Sequence, residues 1–463
     1  MPKIIATQLF FMISFLGFSQ HRYWIASEDT VGIRELLGEP VVCSDWLHEC
    51  SYPLSPEKIR LLSQRKIVVK PVLEFETMSN KSSGKLSYPL EQVEAEAFLE
   101  QGLNGTGVKI GIIDGGFLNA NEDFMLTDFF ENDRVKFYRD YITPELEPYG
   151  GSKGLDDGHG TEVWQSIGGY NSEKGILFGL ARGAEYYLAR TDHGGFERRI
   201  EEDLLIQALE DMDSMGVKLV NMSLGYNIDF TDPKENYLPT QMDGRTTEVA
   251  RAVEIAATEK GMLIVVSAGN EGNISWQTLS TPGDAEHALT VGASKFQLWD
   301  RMNYSSIGPD YTDFVKPDVV VYSTMGTSFA APVITGMAAC LWQKDSTLTN
   351  LEILELFQKA GNFYPFPNNY VGYGVPTCTA LLEVLNGDNK ELPQELRTSR
   401  RKVKIAPDKH VKMAVAYHKK DATHVIAQAN YRTLGKYIKV KKEDQAVRTS
   451  VLLETKVVEI YWE

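Results

Sequence analysis

Cysteine is scarce in this chain, with four among 463 residues (Cys43, Cys50, Cys340 and Cys378). That excludes a small scaffold held by disulfides, and neither pair has metal-site spacing. Long apolar runs are lacking too. Beyond position 18 no stretch could cross a bilayer, which excludes a multi-span membrane protein. Positive charge is in the minority, with 47 Lys+Arg against 63 Asp+Glu and a net charge of −16. Bulk attraction to a polyanion is therefore not what organises the molecule. Internal repeats and nucleic-acid motifs are absent. What remains is a chain long enough for two or three domains with ample core.

Four segments carry chemistry. Gly326-Thr327-Ser328-Phe329-Ala330-Ala331-Pro332 precedes an apolar run over 333–342. A glycine-led turn there delivers Ser328 to the start of a buried helix, whose free N–H groups are oriented for a developing oxyanion. Upstream, Val108-Lys109-Ile110-Gly111-Ile112-Ile113-Asp114 reads as a buried parallel strand with a carboxylate at its C-terminal end, the edge where sites of α/β sheets gather. Asp156-Asp157-Gly158-His159-Gly160-Thr161 places glycines on both sides of a histidine, so that its ring can approach another backbone as a base must. A further apolar strand, 262–267, runs into Ala268-Gly269-Asn270, whose amide could donate to an oxyanion. Singly these are a capped turn, a surface loop, a left-handed asparagine and an N-cap serine. Jointly, in the order Asp, His, Asn, Ser, they follow the chain order Asp-His-Ser of subtilisin.

Over roughly 100–385 the chain resembles the subtilases, the subtilisin-like serine peptidases. The resemblance implies that Asp114 orients the base, His159 is the base, Ser328 is the nucleophile and Asn270 completes the oxyanion hole with the Ser328 N–H. It implies that Ser223, Leu224 and Gly225, within Val220-Asn221-Met222-Ser223-Leu224-Gly225, pair with the substrate backbone. Ser267, Ala268 and Gly269 would line the pocket for the side chain before the scissile bond. Several residues depart from the commonest pattern. Gly115 stands where many relatives have Ser or Thr, and Glu162 follows His159-Gly160-Thr161. Gly179-Leu180-Ala181-Arg182 replaces a usual Gly-Val-Ala-Pro, and the link from Lys316-Pro317-Asp318 to Gly326 is short. An active exported endopeptidase is favoured over a silent binding relative, which needs no such set, and over an esterase, which lacks this motif order.

Alternating signals around the motifs predict an α/β fold, a parallel sheet with helices on both faces: strands 108–114, 184–190, 219–224 and 262–267, helices 201–215, 246–260 and one after Ser328. The expected organisation is a signal peptide over 1–19, a small α/β propeptide-like domain over 20–78, a linker over 79–99, the catalytic domain over 100–385 and a C-terminal β-rich domain over 386–463. The apolar run at 4–18 resembles a secretory signal, so a secreted, periplasmic or cell-surface protein with no transmembrane span after signal removal is expected. Its partners are protein or peptide substrates and no nucleic acid. Cys43 and Cys50 are close enough to close a small loop, whereas Cys340 reads as a buried thiol. Residues 391–463 hold 16 Lys+Arg against 9 Asp+Glu, a basic appendix that either docks on an acidic surface, the cell surface or the catalytic domain, or carries solvated lysines that blunt strand edges. No cofactor is required. Calcium enters as a structural ion that the family implies, with no site assigned, since Asp229, Asp232, Glu235 and Asp243 lack regular ligand spacing.

Overall fold

The structure, a computed structural model, describes most of 21–71 and residues 85–463 apart from 151–156, 194–196, 229, 389–391, 408–410 and 434–435. The expected signal peptide, Asp156, Asp229 and the polar stretch 79–84 lie outside the described residues. The chain divides into two compact units, Met1–Lys81 and Ser82–Glu463.

In the first unit, strands β1 (His21–Ala26), β2 (Val42–Ser44), β3 (Glu49–Leu54) and β4 (Val69–Pro71) form an antiparallel sheet in the order β2-β3-β1-β4. The helix Thr30–Leu37 contributes Ile33 to a small core with Ile25, Tyr52, Leu54 and Leu62. Cys50 is disulfide-bonded, and the β2–β3 register sets Cys43 opposite it.

The second unit is built on seven parallel strands: β5 (Lys109–Asp114), β6 (Val135–Asp140), β9 (Glu185–Arg190), β10 (Leu219–Met222), β11 (Leu263–Ser267), β12 (Leu289–Ser294) and β13 (Val319–Tyr322). A two-stranded ribbon, β7 (Tyr170–Asn171) and β8 (Ile176–Leu177), stands apart. The sheet order is β13-β12-β11-β10-β5-β9-β6. Alternation along each strand divides its side chains between two apolar layers. Leu263 and Val265 join a cluster with the helices His159–Gly168 and Ala331–Lys344, while Ile264 and Val266 join another with Ile200–Ser214 and Glu248–Thr258. After β5 the chain winds one way through β6 and β9, then reverses through β10 to β13, so the topological switch lies between β5 and β10.

The expected linker over 79–99 is corrected by the structure. From Lys85 on it is part of the core: helices Tyr88–Gln92 and Glu96–Leu99 bury Leu90, Val93 and Phe98 completely. Gln92 stitches this segment to the sheet, donating to Ser294 Oγ at 3.1 Å and accepting from the Tyr322 N–H at 2.6 Å. The apolar spacing Leu86, Leu90, Val93 already fits one helical face, which the polar run at 80–85 masks.

At the C-terminal end, β14 (Gln394–Thr398), β16 (Met413–Lys419), β17 (Val425–Arg432), β19 (Arg448–Leu453) and β20 (Lys456–Trp462) form a sheet in the order β14-β20-β19-β16-β17. An antiparallel ribbon, β15 (Lys402–Ile405) with β18 (Ile438–Lys441), accompanies it. The sheet packs on the core of the seven-stranded unit. Val415, Tyr417, Leu452 and Val457 join the large apolar cluster, and Tyr417 meets Phe363 edge-on at 5.7 Å. Lysines 402, 404, 439 and 441 are exposed on the ribbon, as a solvated strand face requires. Cys340 and Cys378 are free and buried, and burial pushes the Cys340 thiol up to about 12, so it is inert at neutral pH.

Within this sheet Lys419 and Glu459 form an ion pair at 2.8 Å with both side chains fully buried, and Ser450 Oγ donates to Glu459 at 2.6 Å. Removing one member leaves an uncompensated buried charge. Lys419→Met is expected to lower the stability of the second unit by about 3–5 kcal/mol in equilibrium denaturation. The double variant Lys419→Met/Glu459→Leu should recover most of that loss. An unchanged single variant would show that the pair contributes nothing.

Candidate active site

Asp114 ends β5 fully buried, and its Oδ1 accepts from His159 Nδ1 at 2.6 Å and from the Gly115 N–H at 2.8 Å. Its Oδ2, equally buried, receives no hydrogen bond among the described residues. Gly115, the next residue, has no hydroxyl to offer it. His159 opens the helix His159–Gly168 with its side chain 24% exposed, so one nitrogen is held by the acid while the ring still reaches solvent.

Two glycines make this approach tight. A Cβ on Gly160 would lie 2.6 Å from the Gly116 carbonyl oxygen and 3.0 Å from Asp114 Cβ. A Cβ on Gly116 would lie 2.5 Å from the Asp157 carbonyl oxygen. The two loops therefore interlock backbone to backbone. Gly158, expected to serve the same purpose, has nothing within 4 Å of a Cβ and contributes no close contact.

One side chain ties the loops together. Arg190, at the end of β9 and 2% exposed, donates from Nε to the Gly115 carbonyl at 3.0 Å, from Nη1 to Asp140 at 2.9 Å and from Nη2 to Asp157 at 2.9 Å. Its neighbour Thr191 donates its N–H to the Asp114 carbonyl at 3.2 Å. The fork of the guanidinium thus fixes both the acid and the segment leading to the histidine.

Ser328 sits in a 3₁₀ turn, Thr327–Phe329, that enters the buried helix Ala331–Lys344, and is not itself the first residue of that helix. Its Oγ donates to the Ser223 carbonyl at 3.3 Å, a long bond, while Ser223 Oγ donates to the Ser328 carbonyl at 3.0 Å. A buried relay continues below, from Asn221 Nδ2 to Ser223 Oγ at 3.0 Å and from Thr335 Oγ1 to Asn221 Oδ1 at 2.9 Å. The ring of Phe329, next to Ser328, lies 5.6 Å from the His159 ring. Asn270 reaches the same turn. Its Oδ1 accepts from the Thr327 N–H at 2.9 Å and from Thr327 Oγ1 at 3.2 Å, which leaves Nδ2 as the donor to offer elsewhere.

Of the expected cleft residues, Ser223 and Leu224 are buried and Gly225 is exposed. Ser267 and Ala268 are buried, and the Ala268 N–H bonds the Val291 carbonyl at 3.0 Å. The Gly269 N–H is bonded to Thr327 Oγ1 at 3.1 Å. A small cavity of about 100 Å³ beside Gly225 is lined by Glu197, Tyr226, Asn227, Phe230 and Glu271, none of them singled out in the sequence. Glu271 Oε2 also accepts the Asn270 N–H at 2.7 Å and Ser306 Oγ at 2.9 Å, so it fixes the backbone of the asparagine. Its place next to Asn270 was the signal that could have found it. Of the insertion acids, Asp232 and Asp243 bond neighbouring N–H groups, and Glu235 accepts the Arg199 N–H at 3.2 Å; they form no ligand set.

The model of the Subtilase family matches residues 105–374. Subtilisin NAT of Bacillus subtilis subsp. natto is 27% identical over 304 residues, which cover 63% of this chain and 70% of that protein. M-protease of Shouchella clausii (strain KSM-K16) is 28% identical over 346 residues, covering 71% and 79%. Among solved structures, MycP1 from Mycobacterium smegmatis aligns with a TM-score of 0.49 at 20% identity over 68% of this chain and 88% of that one.

Arg190→Met would leave Asp140 and Asp157 buried without their guanidinium. A loss of about 3–5 kcal/mol is expected in denaturant melts. Peptidase kcat should fall more than KM rises, because the change loosens the acid and base rather than the cleft. Arg190→Lys, with its charge but no fork, should restore only part of both. A kinetically silent Arg190→Met would refute the positioning role.

Proposed function

Because the chain belongs to the subtilase family of serine-type endopeptidases, we propose that Asp114, His159 and Ser328 are its working triad, with Asn270 and the Ser328 N–H as oxyanion donors. The observation that carries the reading is the 2.6 Å contact between Asp114 Oδ1 and His159 Nδ1. With Nδ1–H donated to a buried carboxylate, the imidazole presents a basic Nε2 and its protonated form is stabilised. Ser328 Oγ gives up only a long bond to the Ser223 carbonyl when it turns to that nitrogen. His159 takes the hydroxyl proton as Oγ attacks the peptide carbonyl, then returns it to the leaving amine. An acyl-enzyme remains, and water activated by the same base hydrolyses it. Asn270, its Oδ1 anchored by Thr327, offers Nδ2 to the oxyanion without reorienting.

The protein is further proposed to be exported and made as a zymogen. The apolar run at 4–18 supports a signal, and a disulfide at Cys50 suits an oxidising compartment. The first unit precedes the second along the chain, as a propeptide would, and among the described residues no helix is long and apolar enough to cross a membrane. Protein and peptide substrates follow from the family.

A fluorophosphonate probe should label the native chain and not Ser328→Ala, and peptide hydrolysis should vanish with it. Asn270→Ala should lower kcat by about 100- to 1000-fold, the size of effect measured for such a donor in subtilisin. Equal labelling of Ser328→Ala overturns the assignment. Mass spectrometry of the secreted product should give an N-terminus beyond the signal; an intact Met1 there refutes cleavage.

A further inference from the structure

We infer that Tyr304 is a positioning residue for the oxyanion hole, and that the C-terminal sheet supports it through Tyr417 and Arg301. The inference rests on the donors proposed above, Asn270 and the Ser328 N–H, and adds what sets the distance between them. Two donors on separate loops stabilise an oxyanion when both already point at one place before the reaction begins. Asn270 follows β11, and Ser328 lies in the turn after β13. Their spacing is therefore a tertiary quantity, fixed by whatever holds both loops.

Tyr304 touches both. Its carbonyl accepts the N–H of Gly272, two residues past Asn270, at 2.8 Å. Its hydroxyl accepts the Gly326 N–H at 3.3 Å and donates to the Ser323 carbonyl at 2.6 Å, on the approach to Ser328. The two loops lie side by side at this point, because a Cβ on Gly326 would stand 3.6 Å from Asn270 Nδ2. Ser306, two residues further on, fastens the same segment to the asparagine's loop. Its N–H donates to the Gly269 carbonyl at 3.1 Å, and its Oγ accepts the Glu271 N–H at 3.1 Å.

The segment that carries Tyr304 is held from behind. Arg301 Nη1 donates to the carbonyls of Asn303, at 3.2 Å, and of Ser305, one on each side of Tyr304. Ser305 Oγ accepts the Ala293 N–H of β12 at 2.9 Å. The N–H of Arg301 donates to Tyr417 Oη at 3.3 Å, and its guanidinium lies over the Tyr370 ring at 4.9 Å. Tyr417 belongs to β16 and is fully buried, with Phe363 and Tyr370 edge-on to its ring at 5.7 and 6.1 Å. A contiguous path of hydrogen bonds and packed rings thus runs from the C-terminal sheet to both donors.

The hydroxyl of Tyr304 is the part that can be removed cleanly. Without it the Gly272 bond, which is made by the main chain, persists, while Gly326 and Ser323 lose their partner. The asparagine's loop stays in place and the serine's loop is released from it. A donor displaced by a fraction of an ångström still admits substrate but meets the oxyanion poorly, so the loss falls on kcat. A contact that served folding alone would lower the amount of active enzyme and leave turnover per active site unchanged.

The test counts active sites in the full chain by end-point fluorophosphonate labelling and expresses kcat per labelled site. Tyr304→Phe is expected to lower kcat about tenfold, with KM within about twofold of the unaltered chain. On an Asn270→Ala background one donor is gone and no spacing remains to hold. There the same change should cost less than about twofold. Tyr417→Phe should lower kcat about threefold, with the same shrinkage beside Asn270→Ala. An unchanged kcat per site in Tyr304→Phe overturns the inference, as does an equal fall on both backgrounds. An unchanged kcat in Tyr417→Phe overturns the part given to the C-terminal sheet. Should Tyr304→Phe not fold, the Tyr417→Phe measurements on the two backgrounds decide in its place. If the unaltered chain shows no hydrolysis that depends on Ser328, the proposed function falls and this inference with it, whereas an active chain with silent variants overturns the inference alone.

Discussion

The buried guanidinium of Arg190 is the constraint on which the site depends. It is a cation at 2% exposure, so it must be neutralised, and it is neutralised by Asp140 at the end of β6 and by Asp157 in the segment before His159. Its Nε donates to the carbonyl of Gly115, immediately after Asp114. Three strand ends and the approach to His159 are thereby brought to one point. A lysine would supply the charge from one ammonium nitrogen, without the planar fork that reaches three acceptors from three separate nitrogens. The short contact between Asp114 and His159 follows from this arrangement, because neither loop is free to withdraw.

Sheet topology explains why these loops meet at all. The reversal between β5 and β10 opens a crevice at their C-terminal ends, with Asp114 on one side and Ser223 on the other. Ser328 is then brought in by a helix buried along most of its length, Ala331 to Leu341. Its carbonyl is held from below by Ser223 and, through Asn221, by Thr335 one turn further along that helix. The turn that carries Ser328 is thus tied both to the strand and to the helix that follows it. Such double anchoring lets the turn present a hydroxyl without drifting.

Much of this was legible in the sequence because its signals are local. Apolar runs ending in Asp114 or Ser267 mark buried parallel strands, and the glycine-rich turns mark where backbones touch. In the C-terminal domain β15 to β19 overlap short alternating or clustered apolar runs visible along the chain at 402–405, 411–417, 423–431, 437–440 and 451–453, whereas β14 is mostly polar and β20 is interrupted by Glu459. The segment from Lys85 to Leu99 was misjudged since its polar preface outweighed a helical spacing of only a few residues. Arg190 was invisible for a different reason. It acts through partners tens of residues away, and no pattern along the chain announces a pairing across strands.

The C-terminal sheet shows how charge and core can point in different directions. By composition 391–463 is a basic appendix, suited to an acidic surface. Its inward face is apolar and continuous with the catalytic core, and the Arg301 N–H donates to Tyr417 Oη at 3.3 Å across that boundary. Lys420 pairs with Asp310 at 2.8 Å, and the Val425 N–H bonds Asn369 at 2.9 Å. Net charge describes the solvent face alone, because that is where unpaired lysines can be hydrated. Within this sheet the deeply buried Lys419 is held by Glu459 from a strand two places away. Attachment to the catalytic core is therefore decided by the alternate residues that composition does not weigh, which is why the domain is structural to the enzyme however its outer lysines are used.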